Sequence, residues 1–297
     1  MAKIIECIPN VTEGRRTEVV EALVNVVRTV PGVTLLDYSS DASHNRSVIT
    51  MVGDPDGIED AAFKLAMAAR DNIDLTQHEG EHPRMGAIDV IPFVPIKDVT
   101  VAECVELSKK LGERIANELG IPVFLYEDSA TAPHRKNLAE IRKGQFEGMA
   151  EKVNDEKWHP DFGGNRIHPT AGVVAVGARP PLVAYNINLS TSDIKVADKI
   201  AKIIRERSGG LKYVKALGVM LEDRNIAQVS INMCNFSKTP LYRVFELVRV
   251  EAARYGVHII GSEIIGLAPM AALIDSAEYY LQLEGFSKNQ VLENRLM

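Results

Sequence analysis

Cysteine is scarce in this chain: Cys7, Cys104 and Cys234 lie far apart and form no CxxC pair. A disulfide framework or a cysteine-built metal site is therefore not expected, and the three read as reduced thiols of a cytoplasmic protein. No apolar run reaches the roughly 20 residues that a membrane span requires, so no membrane partner is expected. The N-terminus, MAKIIECIPN, carries Glu6 and Pro9 inside its short apolar stretch and does not read as a signal peptide. An excess of positive charge is missing too. The formal net charge is −6, whereas a chain devoted to nucleic acid is usually basic, so no nucleic-acid partner is expected. What is present is ordinary for a soluble globular protein: 46% hydrophobic and 25% charged residues over 297 positions, enough for ample cores.

The hydrophobic pattern alternates between short β-rich runs and helical periods. Residues 3–8 read as a strand, and Val19, Leu23, Val26, Val27 and Val30 mark one face of a helix stopped by Pro31-Gly32. Residues 33–38 and 47–53 read as strands, and Asp54-Pro55 offers an N-cap with proline at the first helical position. Residues 87–94 form another strand candidate, and Thr100-x-x-Glu103 is a capping box before a helix that ends at Gly120. From 128 to 169 the chain is polar, Gly-rich and weakly periodic, with one helix expected near 138–146. The second half replays the first: a strand at 182–188, a helix at 193–207, strands at 214–221 and 227–233, and a helix opened by Thr239-Pro240. The expected fold class is α/β. It has two tandem subdomains, residues 1–180 and 181–297, each a mixed sheet covered by helices mainly on one face, with a ligand groove between them.

Residues 78–89, HEGEHPRMGAID, crowd imidazoles, carboxylates and a guanidinium into one Gly- and Pro-broken segment. Such a segment builds no core, so its polar groups face solvent or a ligand. It spells His78-Glu79-x-x-His82, the zinc-protease pattern, which needs a helix to bring both imidazoles to one metal. Gly80 between the histidines and Pro83 after the second argue against that helix, at about 1 and 3 kcal/mol respectively. The zinc-hydrolase reading is thus disfavoured. His82 is instead the leading candidate for proton transfer, because imidazole titrates near neutral pH.

Asp37 and Asp41 lie at a strand end, with His44, Asn45 and Arg46 following; either carboxylate could orient His82, or Asp41 could merely close an Asx-turn. NVTEGRR, residues 10–16, is a strand-to-helix turn whose backbone N–H groups could meet an anion. His134-Arg135-Lys136 and Arg142-Lys143 read as a local basic patch, for an acidic ligand or as a solvated face. Residues 163–172, GGNRIHPTAG, form a second irregular polar loop before a strand.

Taken together, these segments resemble the formiminotransferase family. The resemblance runs nearly end to end: IECIPNVTEGR at 5–15, NRSVITMVG at 45–53, HEGEHPRMGAIDVIPFVP at 78–95, PDFGG at 160–164, AYNINLST at 184–191 and IGLAPMAAL at 265–273. It implies transfer of a formimino group between N-formimino-L-glutamate and tetrahydrofolate, giving 5-formiminotetrahydrofolate and L-glutamate, in histidine breakdown and one-carbon metabolism. Tetrahydrofolate is then a co-substrate, no metal is needed, and a cytoplasmic homodimer is expected. Folate is expected in the groove between the subdomains. Animal members fuse this domain to a cyclodeaminase, and with the chain ending at Met297 only the transferase is expected here.

The family's catalytic histidine falls on His82. Its folate loop falls on Gly163, Gly164, Asn165, Arg166, Ile167, His168, Pro169, Thr170, Ala171 and Gly172, where this chain departs from the animal sequences. A carboxylate used in some members falls on Ser39, with Asp37 or Asp41 as substitutes. Arg46 and Arg84 are candidates for the substrate carboxylates. A folate-binding protein without catalysis is the alternative from a different class.

Overall fold

The computed structural model describes residues 3–296, and the fold divides into two compact units between Arg179 and Pro180. The first unit runs β1 (Ile4–Cys7), β2 (Asn10–Val11), α1 (Thr17–Arg28), β3 (Val33–Asp41), β4 (Arg46–Gly53), α2 (Pro55–Asn72), β5 (Ile88–Lys97), α3 (Val101–Leu119), β6 (Val123–Glu127), α4 (Leu138–Arg142), α5 (Gln145–Lys152) and β7 (Val174–Ala178). The helix limits follow local chemistry. Asp54 accepts the Gly57 N–H at the start of α2, and Pro55 occupies its first turn. Thr100 and Glu103 close a reciprocal capping box on α3, whose far end stops at Gly120 in the left-handed region (φ 68°).

Its sheet is mixed. β3 lines β4; β4 and β5 flank the broken strand β1/β2 antiparallel; β7 then runs parallel to β5, and β6 parallel to β7. One irregularity positions the site. Asn10 pairs with Val90 and Val11 with Ile88, so Asp89 is the extra residue of a bulge in β5. Such a bulge takes a side chain out of the regular alternation and re-aims it.

Over β5, β6 and β7 both faces of this sheet are covered. Val123, Val174 and Val176 join the large core with α1, α2 and α3, while Phe124, Val173 and Ala175 join a second cluster with Ile141 and Met149 of α4 and α5. Alternate residues of one strand feeding two cores is the signature of a strand buried on both sides. The single helix expected near 138–146 is two short ones. Gly144 (φ 96°) and Gln145 (φ 55°) break it, and Lys152 donates to the carbonyls of Glu140, Ile141 and Lys143.

The second unit runs β8 (Val183–Leu189), α6 (Ile194–Ile204), β9 (Val214–Leu221), β10 (Ile226–Met233), α7 (Leu241–Ala253), β11 (Ile259–Ile265) and α8 (Met270–Leu281). Its strand order is β11-β8-β10-β9, the split β-α-β-β-α-β arrangement. Tyr185, Ile187 and Leu189 alternate inward against Ala197, Ile200 and Ile204 of α6 and Val244 and Val248 of α7. A mixed sheet was expected for this half, yet every described pairing in it is antiparallel. The physical reason is interleaving: the helix crossovers make β8 parallel to β9 and β10 parallel to β11, but β10 lies between the first pair and β8 between the second.

Candidate active site

The segment from 73 to 87 forms no helix, so His78 and His82 are not presented on one helical face and the zinc-protease geometry is not met. Close approach of backbone explains its glycines. A Cβ on Gly80 would stand 2.5 Å from the His44 carbonyl, and one on Gly86 would stand 2.0 Å from the Val173 carbonyl. Asn45 staples the segment in place, donating to the Glu79 carbonyl (2.9 Å) and accepting from the Gly14 N–H (2.8 Å). His78 is engaged at both ring nitrogens: Nε2 meets the Asn45 carbonyl (3.0 Å), and Nδ1 accepts from Arg84 Nε (3.3 Å).

His82 is half-buried, with Nδ1 3.0 Å from Arg46 Nη1. Arg46, the first residue of β4, also donates from Nη1 to Asp89 Oδ2 (3.1 Å), and from Nε and Nη2 to Asn10 Oδ1 (3.1 and 2.6 Å). The re-aimed Asp89 is fully buried; it accepts from Arg142 Nη2 of α4 (2.5 Å) and from the Met85 N–H (2.8 Å). Arg142 Nε is buried without an acceptor among the described residues. The centre is therefore two guanidiniums on one carboxylate, a net positive cluster with an imidazole at its edge. Burial, then the Arg46 and Arg142 charges, depress the His82 ring to about 4, against the opposing pull of Asp89. Burial pushes Asp89 up, but Arg142, Arg46 and the Met85 N–H outweigh it and hold the carboxyl below its ordinary range.

The other expected residues are placed as follows. Asp41 accepts from the His44 N–H (2.8 Å) and pairs with His44 Nδ1 (3.0 Å), which is the Asx-turn alternative; the His44 ring lies 6.2 Å from the His82 ring. Asp37 is an exposed residue of β3. The carboxylate joined to His82, through Arg46, is thus Asp89 rather than either of these. Arg84 is buried and bidentate with Glu147 (2.6 and 2.8 Å), so its charge is already matched internally, whereas Arg46 shares the Asp89 carboxylate with Arg142. The NVTEGRR turn is likewise filled from within: Glu13 Oε1 accepts the N–H groups of Arg15 and Arg16 (2.9 Å each).

The basic patch read from residues 134–143 is divided, with Lys136 exposed but its arginines turned inward. Arg135 is buried against Asp161 (2.9 Å), Arg142 turns to Asp89, and Lys143 stays exposed. Asp161 also accepts from the Leu125 N–H (2.8 Å) and from Thr131, anchoring the start of the 163–172 loop. In that loop Gly163, Gly164, Asn165 and Arg166 are exposed at the tip. Its base is tied to the histidine segment: the Leu75 N–H donates to the Thr170 carbonyl (2.9 Å) and the Ala87 N–H to the Ala171 carbonyl (3.0 Å). His168 uses Nδ1 to accept the Ala171 N–H (3.0 Å), a local cap. An open cavity of about 630 Å³ is lined by Arg15, Arg16, Asn45, Arg70, His78 and Thr170, among others, beside this junction.

Asn10, Asn45 and Asp89 lie in segments marked out from sequence but were given no role there, and Arg142 only one as part of the patch. The available signal was Asp89 itself, an acid at the mouth of a run otherwise apolar, where an unpaired charge is costly.

Comparison with known proteins adds an independent line. The model of the formiminotransferase domain, N-terminal subdomain, matches residues 4–179, and that of the formiminotransferase domain matches residues 184–295. The chain is 66% identical over 298 residues to the glutamate formimidoyltransferase of Streptococcus pyogenes serotype M1, covering 100% of both. It is 49% identical to that of Thermoplasma acidophilum, covering 99% of this chain and 97% of the relative. It is 43% identical to the formimidoyltransferase-cyclodeaminase of Gallus gallus, covering 96% of this chain and 53% of that longer protein.

Proposed function

Because this chain belongs to the formiminotransferase family, we propose that it transfers the formimino group between N-formimino-L-glutamate and tetrahydrofolate, with His82 as the proton carrier. It is a transferase of one-carbon groups, and tetrahydrofolate is its co-substrate. The amine N5 of the folate attacks the amidinium carbon, and a bond forms between them. The tetrahedral intermediate holds three nitrogens on that carbon. One proton leaves N5 and one proton reaches the glutamyl nitrogen, whose bond to carbon then breaks, releasing L-glutamate and 5-formiminotetrahydrofolate. The net exchange is zero, so a single imidazole that takes and returns one proton suffices, a contribution of typically about 10²–10⁴-fold. Holding both substrates in register adds a proximity term.

The observation that carries this reading is the half-open His82 ring, kept neutral at the edge of a buried charge cluster. A neutral ring can approach a cationic amidinium without repulsion. The exposed tip at 163–166 supports folate contact, since its base is fastened to the histidine segment. The reading includes a cytoplasmic homodimer, on the family resemblance; no described helix is long and apolar enough to cross a membrane.

The test is to mix N-formimino-L-glutamate with tetrahydrofolate and follow formation of 5-formiminotetrahydrofolate. Wild type should convert; His82→Ala should lose about 10²–10⁴-fold in kcat while still binding folate. Binding without conversion by wild type would favour a folate-binding protein, and full turnover by His82→Ala would remove the histidine from the chemistry.

A further inference from the structure

A guanidinium has five N–H donors and no acceptor, so an arginine 3.0 Å from an imidazole nitrogen can only be donating to its lone pair. We infer that Arg46 is the positioning residue of His82, donating from Nη1 to Nδ1 and so fixing the ring in the neutral form whose hydrogen sits on Nε2. This inference rests on the reading of His82 as the proton carrier and adds what sets its starting state. Arg46 is itself held on three sides, by Asn10 Oδ1 at Nε and Nη2 and by Asp89 Oδ2 at Nη1. Its side chain is 11% exposed, leaving it little room to turn away. Asp89 is in turn fixed by the Met85 N–H, three residues along from His82, so the clamp and the ring share one backbone segment.

The arrangement inverts the familiar carboxylate–histidine pair, in which an acceptor at Nδ1 leaves a lone pair on Nε2. Here Nε2 carries a hydrogen and the Nδ1 lone pair is occupied. The ring can therefore take the folate N5 proton only as the Arg46 contact gives way: one N–H···N bond is lost, and the ring becomes an imidazolium with a hydrogen on each nitrogen. That cation then faces the guanidiniums of Arg46 and Arg142, opposed by the Asp89 carboxylate and the Pro83 carbonyl, with the His44 ring and its Asp41 partner farther off. Passing the Nδ1 proton to the glutamyl nitrogen restores the neutral ring and the Arg46 bond. Arg46 thus makes His82 a reluctant base but a strong acid, suited to expelling an amine.

The experiment uses the full chain labelled with ¹⁵N at histidine, with His82→Ala to assign the ring signals. In wild type, between pH 5.5 and 8, His82 should show a protonated, pyrrole-like Nε2 and an unprotonated, pyridine-like Nδ1, without titrating. In Arg46→Met, whose side chain has no N–H donor, the lone pair is released: the two nitrogens should average between tautomers, and the ring should titrate closer to an ordinary histidine. Turnover of Arg46→Met should fall about 10- to 100-fold in kcat, with KM for both substrates within about threefold, as misplacement of a positioned group predicts. A wild-type ring with its hydrogen on Nδ1, or an Arg46→Met spectrum identical to wild type, overturns the assignment. Full activity in His82→Ala would instead sink the proton-carrier reading while leaving the tautomer result standing.

Discussion

Asp89→Asn isolates the charge at the centre of the cluster while leaving its shape. The wild-type carboxylate is fully buried and accepts from Arg46 (3.1 Å), Arg142 (2.5 Å) and the Met85 N–H (2.8 Å). An asparagine Oδ1 can still take the Met85 N–H, so the local turn survives. What is lost is the only negative charge, among the described residues, paired with two guanidiniums that are 11% and 13% exposed. Removing one partner of a buried ion pair costs about 3–5 kcal/mol, because the remaining charge is left uncompensated. Water reaching the partly open arginines argues for the lower end, about 3 kcal/mol. Urea unfolding of the full chain at pH 7, followed in the transition of the first unit, should show a midpoint about 1–1.5 M lower, for slopes of about 2–3 kcal/mol/M.

The pH dependence carries a sign as well. The folded Asp89 is held below its ordinary value, so its contribution is present above about pH 4 and fades as pH falls through the depressed native value. The gap between wild type and Asp89→Asn should therefore narrow in acid. A midpoint shift below about 0.3 M at pH 7, or a gap that does not narrow, would mean that the two arginines are solvated well enough to need no anion.

Three other outcomes are expected. Gly172 sits at φ 67° with the Met85 carbonyl 2.2 Å from where a Cβ would be, whereas Gly164 sits at φ 75° with nothing within 4 Å. Gly172→Ala should lower the melting temperature well beyond the effect of Gly164→Ala, which bears only the left-handed strain of about 1 kcal/mol; equal shifts would refute the close-approach argument. The His82 ring, depressed to about 4 in the fold, stays neutral while an unfolded ring takes up a proton near 6.5. Stability should accordingly fall between pH 6.5 and 4, and His82→Gln should remove roughly 1–2 kcal/mol of that fall, the full linkage being reduced because the ring is partly open to solvent; parallel stability curves would contradict it. Finally, chelators should leave turnover unchanged, since both ring nitrogens of His78 are already bonded; loss of activity on dialysis against a chelator, restored by zinc, would return the metal reading.

Local signals carried the regular elements. Asp54-Pro55 and Thr100-x-x-Glu103 mark the starts of α2 and α3 because caps are decided within one turn of chain. Gly80 and Pro83 rightly argued against a helix over the histidines. Long-range pairing was not legible in the same way. The antiparallel sheet of the second unit depends on which strand slips between which, and a strand's own pattern does not state its neighbours. The site shows the same divide. His82 stood out because its segment is chemically odd, but its partners come from β2, β4, β5 and α4, brought together by a sheet register that no local spacing encodes. Asp37 and Asp41 were plausible as carboxylates at a strand end; Asp89 reaches Arg46 by a one-residue irregularity.

That irregularity bears on any attempt to idealise the protein. Deleting a residue from β5 at position 89 would restore an unbroken ladder with β2, which ordinarily strengthens a sheet. It would also abolish the anion that reconciles Arg46 with Arg142, and an insertion would swing every following side chain of the strand to the opposite surface. Sequence changes that smooth this strand should therefore trade away the proposed proton-handling centre for rigidity, and stabilised variants are better sought in the capped helices than along β5.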